Sequence, residues 1–541
     1  MASSNHDKEK SHHNAATNTD TVSLEEDWTP TLVDIEKAEH DEKNKAGTAS
    51  SQCSSDGERP EHNVISWSIN DPGNPHNWSA TRKVFVVIAG IVLVFNSTFG
   101  SSIAAGASQQ TADYFNVTNT VQLVLPTSLF LVGYVLGPLL TAPMSESYGR
   151  KPILFVTFLI YTAFSLGCAL APTWAGLVVM RLLCGMGAGT PISVVGGVYA
   201  DIYKTPQARG TAIMIFMTMT ILGPLVGPPA SGYLAVVSWR WAYWLQLIIA
   251  GVSWPIFIFM PETYGPVLLK RKAAEQRQET GDVSIVAPIE LENKSMQELI
   301  TVILARPFRM FLFEAIVLSS CLYMAMVYAV FYMFLQAYPL IFEGVYGFSP
   351  GEEGLTFLAI FVGSVMASGV YFWWDHYYEK KRAQNPAPKW TAQEEYHRVP
   401  IACIAGPLFA ASIFWLGWAA RPDVHWIVPT LAGIPFGLAY VLIFMGLINY
   451  IVDAYEAFSA SALAASSCSR SLFGVILPFA VPSMFSHLGI AWACSVLGFI
   501  SLALGVIPFV FIRFGEKLRA NSEFCQELRR LKEKEMARNG P

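Results

Sequence analysis

Tyr199-Ala200-Asp201-Ile202-Tyr203 closes the fourth long apolar segment of this chain, and Ile451-Val452-Asp453-Ala454-Tyr455 closes the tenth. Two segments that end alike, six segments apart, point to a duplicated unit. A helix crossing a hydrocarbon core of about 30 Å needs about 20 mainly apolar residues, because each residue rises about 1.5 Å. The chain supplies twelve such segments, placed within 84–105, 121–142, 152–171, 175–200, 210–235, 241–260, 310–335, 355–374, 400–419, 426–448, 461–485 and 491–512. Six precede a charged stretch at 262–309 and six follow it. Glu146 after the second segment is echoed by Asp375 after the eighth. The expectation is an all-α polytopic membrane protein, with twelve transmembrane helices in two parallel six-helix bundles and a ligand site between them near the midplane.

Composition agrees with that solvent. The 541 residues are 52% hydrophobic and 14% charged, a balance that does not suit soluble domains. The net charge of −5 is small and concentrated in tails and loops, so nothing points to a nucleic-acid partner. Cys168, Cys184, Cys321, Cys403, Cys468 and Cys494 fall singly in apolar stretches, and Cys53 and Cys525 in polar tails, without metal-ligand or disulfide spacing. Residues 1–82 are polar and hold no apolar run long enough for a signal peptide, which reads as a disordered cytosolic tail. The bundles then cover 83–261 and 310–513. A cytosolic loop with the helical-looking ELENKSMQELI joins them at 262–309, and a cytosolic tail occupies 514–541.

Lys and Arg set the orientation, since basic residues stay on the cytoplasmic side. With the amino terminus inside, the inner loops hold Arg150, Lys151, Lys204, Arg209, a set from Lys270 to Arg309, and Lys380, Lys381, Arg382, Lys389 and Arg398, whereas the outer loops hold Arg240 and Arg421. Both termini are therefore expected in the cytosol, with membrane lipid as surroundings and the plasma membrane, or alternatively the vacuolar membrane, as location. Asn116-Val117-Thr118 is the glycosylation sequon in an outer loop, close to the bilayer.

Three segments carry mechanism. Ala142-Pro143-Met144-Ser145-Glu146-Ser147-Tyr148-Gly149-Arg150-Lys151-Pro152 sets an acid four residues before an arginine, with glycine to turn the chain and charges to dock on neighbouring helix ends. Span 4 begins with Arg181-Leu182-Leu183-Cys184-Gly185, and an arginine inside a span costs about 2.5–3.5 kcal/mol unless a cavity or partner compensates. Span 5 holds Gly223-Pro224 and Gly227-Pro228, with Gly232 beyond, a pattern for a hinge or for close approach of a neighbouring backbone.

The first of these resembles the loop motif of the major facilitator superfamily, with Glu146 where aspartate is more usual. The resemblance implies that Arg150 pairs with an acid ending span 4, for which Asp201 stands ready, and that Glu146, Gly149, Arg150, Asp201, Asp375 and Asp453 form a conformational latch. Arg181 with its glycines is similar to the family's span 4 motif, associated there with proton coupling. Span 5 resembles the antiporter motif of exporting members, although Pro228 replaces its second glycine. Asp71-Pro72-Gly73-Asn74-Pro75-His76-Asn77-Trp78-Ser79, Pro261-Glu262-Thr263, Arg306-Pro307-Phe308, Ala337-Tyr338-Pro339 and Ser469-Arg470-Ser471 extend the likeness over about 71–525. Together they look like fungal twelve-span drug:proton antiporters, including multidrug, polyamine and toxin exporters. This implies a monomer of major facilitator fold that moves a small organic substrate against protons, without a cofactor or metal.

Within the spans, Asn96, Tyr134, Arg181, Tyr328, Gln336, Tyr440 and Arg470 offer dipoles, aromatic faces or charge to a substrate or proton path. Acids lie near span ends, so a polycation is not the expected cargo, and neutral, anionic or amphipathic compounds are. By elimination Glu314 and Asp201 are nominated for proton exchange. A facilitator or proton-symporting uptake permease is the alternative of the same architecture, as is a polyamine exporter. No nucleophile elbow, His-rich metal cluster or phosphate loop GxxxxGK[ST] suggests an enzyme or a primary pump. In sealed right-side-out vesicles, an added protease should leave the 262–309 loop intact. Cleavage from outside would refute the topology.

Overall fold

Inside hydrocarbon no water is available to the backbone, so each spanning segment must satisfy its own N–H and C=O groups as a helix. The computed structural model describes residues 63–539 apart from 69, 120, 292–304, 385–387, 394, 456 and 457. The first bundle consists of span 1 (Ala80–Ser102), span 2 (Leu125–Tyr148), span 3 (Arg150–Ala169), span 4 (Trp174–Ile202), span 5 (Pro206–Ala235) and span 6 (Arg240–Ile258). In the second, span 7 is Ala315–Tyr338 and span 8 is Leu358–Arg382, preceded by a short helix Pro350–Thr356. Span 9 (Glu395–Ala419), span 10 (Gly433–Tyr455) and a final pair follow.

Among the described residues, eleven stretches are long and apolar enough to cross a membrane. The last, Ser461–Asn521, counts 61 residues and would be about 90 Å long if straight, some three times a hydrocarbon core. It folds back at Gly489, whose φ of 72° and ψ of 168° only glycine adopts readily. The stretch therefore divides into span 11 and span 12, which makes twelve crossings among the described residues.

Helices in lipid associate through close packing rather than through hydrophobic exclusion, which favours small residues at the contacts. A Cβ on Gly185 of span 4 would stand 2.1 Å from the Phe130 carbonyl oxygen of span 2, and one on Gly363 of span 8 would stand 1.9 Å from that of Ile434. These glycines let backbones touch within each bundle.

The segments before span 1, between the bundles and after span 12 lie on one face, called here the terminal face. Part of the expected tail is folded. Asn63–Val64 (β1) pairs in parallel with Ile285–Val286 (β2) of the interbundle segment, and Ile65 and Trp67 pack on Leu269, Ala273 and Ile285. Lys272 Nζ bonds the Asp71 carboxylate and holds its carboxyl below the usual range. The disordered-tail expectation thus fails for the described residues of 63–79, because Trp67 and Ile65 have Leu269 and Ala273 of the otherwise polar helix Gly265–Thr280 to cover. Residues 1–62 and most of ELENKSMQELI lie outside the described residues. Span 7 starts at Ala315 rather than 310, since Glu314 (φ −94°, ψ 109°) breaks the helix between Arg306–Phe313 and the span. Asn116 is exposed in a left-handed turn that ends a short helix, Ser108–Phe115, on the opposite, far face.

Candidate functional site

Between the bundles lies a cavity lined from both sides. Thr98, Tyr134, Ile192, Met217 and Pro224 line it from the first bundle, and Tyr328, Phe331, Tyr332, Tyr440, Phe444 and Arg470 from the second. The aromatic wall is ordered by its own contacts. Tyr134 donates its hydroxyl proton to the Ser97 carbonyl at 2.6 Å, the Tyr328 and Tyr332 rings lie 4.9 Å apart, and Tyr440 stacks on Phe444 at 4.8 Å.

Arg470 is the charged residue of that lining, and no Asp or Glu accompanies it. Its guanidinium sits 5.7 Å from the centre of the Tyr328 ring and 5.4 Å from that of Phe444, a cation held over π faces. Its hydrogen bond to Ser467 Oγ is long, 3.5 Å, and its buried Nε has no hydrogen-bond partner. Gly474, one turn on, leaves room for Tyr328 and for Leu131 of the other bundle.

Arg181 has the opposite character. It is fully buried, and Nε and both terminal nitrogens reach the carbonyl oxygens of Pro126, Gly100 and Ser101 at 2.9, 2.8 and 3.4 Å. Gly100 and Ser101 end span 1, where unpaired carbonyls and the helix dipole favour a cation. Arg181 ties spans 1, 2 and 4 together and does not line the cavity. Asn96 donates to Ser253 Oγ of span 6 inside the first bundle. Gln336 is half-buried near the far-face end of span 7, and neither residue lines the cavity. Glu314, at the terminal face, accepts from the Tyr455 hydroxyl at 2.9 Å. Of the path candidates, Tyr134, Tyr328, Tyr440 and Arg470 come together at the cavity.

Span 5 is one continuous helix despite Pro224, Pro228 and Pro229. Its glycines make a seam. A Cβ on Gly223 would meet Thr98 Oγ1 at 2.2 Å, one on Gly227 would meet Ser102 Oγ at 2.2 Å, and one on Gly232 would meet the Pro350 carbonyl of the second bundle at 2.4 Å. Pro224 faces the cavity. The bonds joining the bundles run from mid-membrane to the far face: Thr218 with Ser368, Ser101 with Tyr332, and Ser128 with the Val475 carbonyl. These bonds hold the bundles together on the far-face side of the cavity.

At the terminal face Arg150 Nε lies 3.3 Å from Asp201 Oδ2, and a terminal nitrogen donates to Ser145 Oγ at 2.8 Å. Glu146 is exposed. The acid that completes the cluster is Glu262, after span 6, whose oxygens accept from the backbone N–H groups of Arg150, Lys151, Thr263 and Tyr264 at 2.9–3.0 Å. It caps span 3, where the first helical N–H groups lack intrahelical partners. Gly149, at φ 102°, has no room for a Cβ, which would lie 2.6 Å from Glu262 Oε2. The second bundle repeats the arrangement around Arg398, which reaches Asp453 at 3.1 Å and Asp375 at 3.5 Å while donating to the Tyr371 hydroxyl. Glu262 and Arg398 were not among the residues expected in the latch, although Glu262 stands in the Pro261-Glu262-Thr263 motif and Arg398 in a basic inner loop.

Residues 89–478 match the family model described as Major Facilitator Superfamily. The chain is 37% identical over 471 residues to "MFS transporter prlG" of a fungal species, covering 86% of this chain and 98% of that one. It is 36% identical over 465 residues to the "Major facilitator superfamily multidrug transporter mdrA" of Aspergillus fumigatus, covering 85% and 76%. It is 35% identical over 466 residues to "Efflux pump FUBT" of Fusarium oxysporum, covering 86% and 78%. Among solved structures, a D-xylose-proton symporter superposes with a TM-score of 0.60 at 16% identity, covering 79% of this chain and 97% of that one, a likeness of fold.

The cluster geometry separates the acid expected in the latch, Glu146, from the acid that completes the cluster, Glu262. Glu262→Ala strands buried N–H donors and should cost about 1–3 kcal/mol of stability, read as a clear fall in thermal midpoint in detergent. Glu146→Ala, at an exposed position, should change stability by less than about 0.5 kcal/mol. The reverse order would remove Glu262 from the cluster's support.

Proposed function

The chain belongs to the major facilitator superfamily, and from that membership we propose that it exports small organic compounds from the cell in exchange for protons. It is a transporter and not an enzyme. Relatives named as efflux pumps and multidrug transporters support export, as does the Gly-Pro seam of span 5. In this reading the terminal face is cytosolic, in keeping with its basic residues, and the protein works as a monomer in the plasma membrane.

The observation that carries the substrate class is Arg470, a cation facing an aromatic cavity with no acid to neutralise it. An anionic or carbonyl-bearing group would complete its hydrogen bonds in a medium of low dielectric, where an unpaired charge is costly. The aromatic faces would take the remainder of an amphipathic molecule. A polyamine would meet Arg470 and no carboxylate, which argues against that cargo.

Transport follows from the two clusters and the seam. Arg150 and Arg398 each bind several span ends into one block, so the bundles move as bodies and exchange the far-face contacts for contacts at the terminal face. With the bundles held together on the far-face side, this conformation would receive substrate from the cytosol. Asp201 and Glu314 are the acids proposed to exchange protons at that face. Protonating Asp201 would release Arg150 and free the block to move.

At equal surface abundance, Arg150→Ala should abolish efflux, and wild-type export by it would leave the cluster a topological anchor. Arg470→Ala should lower efflux of anionic substrates at least tenfold, with Arg470→Lys retaining part, when both are compared with a protonophore control. Folded Arg470→Ala with unchanged efflux and substrate range would exclude this residue from recognition.

A further inference from the structure

The acids expected from sequence lie near the terminal-face ends of the spans, and a span 8 beginning at 355 leaves Glu353 outside it. The short helix Pro350–Thr356 carries it just before that point. Glu353 is 2% exposed, and its Oε1 is buried without a hydrogen-bond partner. The cap of this helix does not need it, since Ser349 and Glu352 form a reciprocal capping box that satisfies the helix start.

The turn bearing Glu353 is part of the contact between bundles. A Cβ on the adjacent Gly354 would stand 2.3 Å from Pro229 Cα of span 5, one on Gly351 would enter the Tyr233 ring, and Gly232 abuts the Pro350 carbonyl. The elements packed on this helix are span 5, residues 105–107 and the turn Pro339–Glu343, and Phe357 next to it stacks on Tyr338. The titratable groups they present are Tyr233, Tyr338 and Glu343, with Glu352 on the helix itself. No Lys, Arg or His occurs in 221–235, 105–107 or 315–343. A carboxylate buried there would have no cation, and a second acid nearby, whereas a carboxyl that keeps its proton is accommodated. When the bundles part at the far face, span 5 and 105–107 leave this turn, water reaches it, and the ionised form becomes the favoured one.

We propose that Glu353 is a proton-binding site that locks the outer gate: the gate seals over the protonated carboxyl and is released when the proton returns to the outside. The inference shares with the proposed export only the orientation of the chain, and it holds for either direction of transport. An ordinary exposed carboxyl titrates near 4.3. Above that value the closed-to-open ratio should fall by up to tenfold per pH unit, because the closed form binds one more proton than the open one.

The test reads the gate without substrate or gradient, so a failed efflux assay does not bear on it. Full-length protein with its native cysteines replaced is labelled at Val237→Cys and Gly344→Cys and placed in lipid nanodiscs. Val237 is 75% exposed, and a Cβ at Gly344 meets nothing within 4 Å. Distances between spin labels are measured from pH 5 to pH 8. The wild-type residue at 353 should give an open population that grows several-fold with each pH unit. Glu353→Gln and the similarly sized Glu353→Met, both permanently neutral, should stay closed throughout. A pH-independent gate in the protein retaining Glu353, or an unchanged pH response in either variant, overturns the proposal.

Discussion

A charge that enters hydrocarbon must be met by another group of the chain, and the way each charge is met divides this molecule into fixed and moving parts. Arg181 is met completely, by three carbonyl oxygens at the ends of two other spans. Arg150 is met by Asp201 and Ser145, and Arg398 by two aspartates and a tyrosine. Such groups hold helix ends at fixed spacing within a bundle. Arg470 and Glu353 are met poorly or not at all, and both stand where the two bundles face one another. An unmet charge is tolerable only if another state or a bound species meets it. The places left unsatisfied by the static packing are accordingly the places at which we propose that the molecule works.

The same division appears in the glycines. Gly185 and Gly363 bring helices together inside a bundle, and Gly223 and Gly227 fasten span 5 to span 1. Gly232 and Gly354 instead bring backbone against backbone across the bundles, and Gly351 makes room for the Tyr233 ring. Span 5 therefore packs closely on two partners along its length, its own bundle through Gly223 and Gly227 and the other bundle through Gly232.

Much of this was legible in the sequence, and the physical reason for each success and failure is local. Spans are legible because hydrophobicity and length are properties of the segment itself. The doubled Asp201 and Asp453 endings disclosed the two bundles, and the Gly-Pro pattern disclosed a close contact in span 5. Arg470 was recognised as a charge inside a span and as part of the Ser469-Arg470-Ser471 likeness. Partners were harder to read, since they are set by packing. Glu146 and Glu262 are both acids beside the same loop, yet only the backbone turn at Gly149 decides which of them reaches the N–H groups of span 3. Asn96 and Arg181 were read as path residues because polarity in a span is visible, whereas the direction a helix face takes within a bundle is not. Glu353 escaped because a short helix, broken from span 8 by a single residue, carried the acid just outside the expected crossing.

The strand pair on the terminal face has a consequence for how the chain is made. Asn63–Val64 emerges from the ribosome before any span, but its partner Ile285–Val286 is synthesised only after all six helices of the first bundle. The β1 segment must wait unpaired until then, and the closing of Trp67 and Asp71 onto the Gly265–Thr280 helix comes after span 6 is in place. The strand pair can therefore form only once all six spans of the first bundle have been made, so a paired β1 marks a chain in which that bundle is complete.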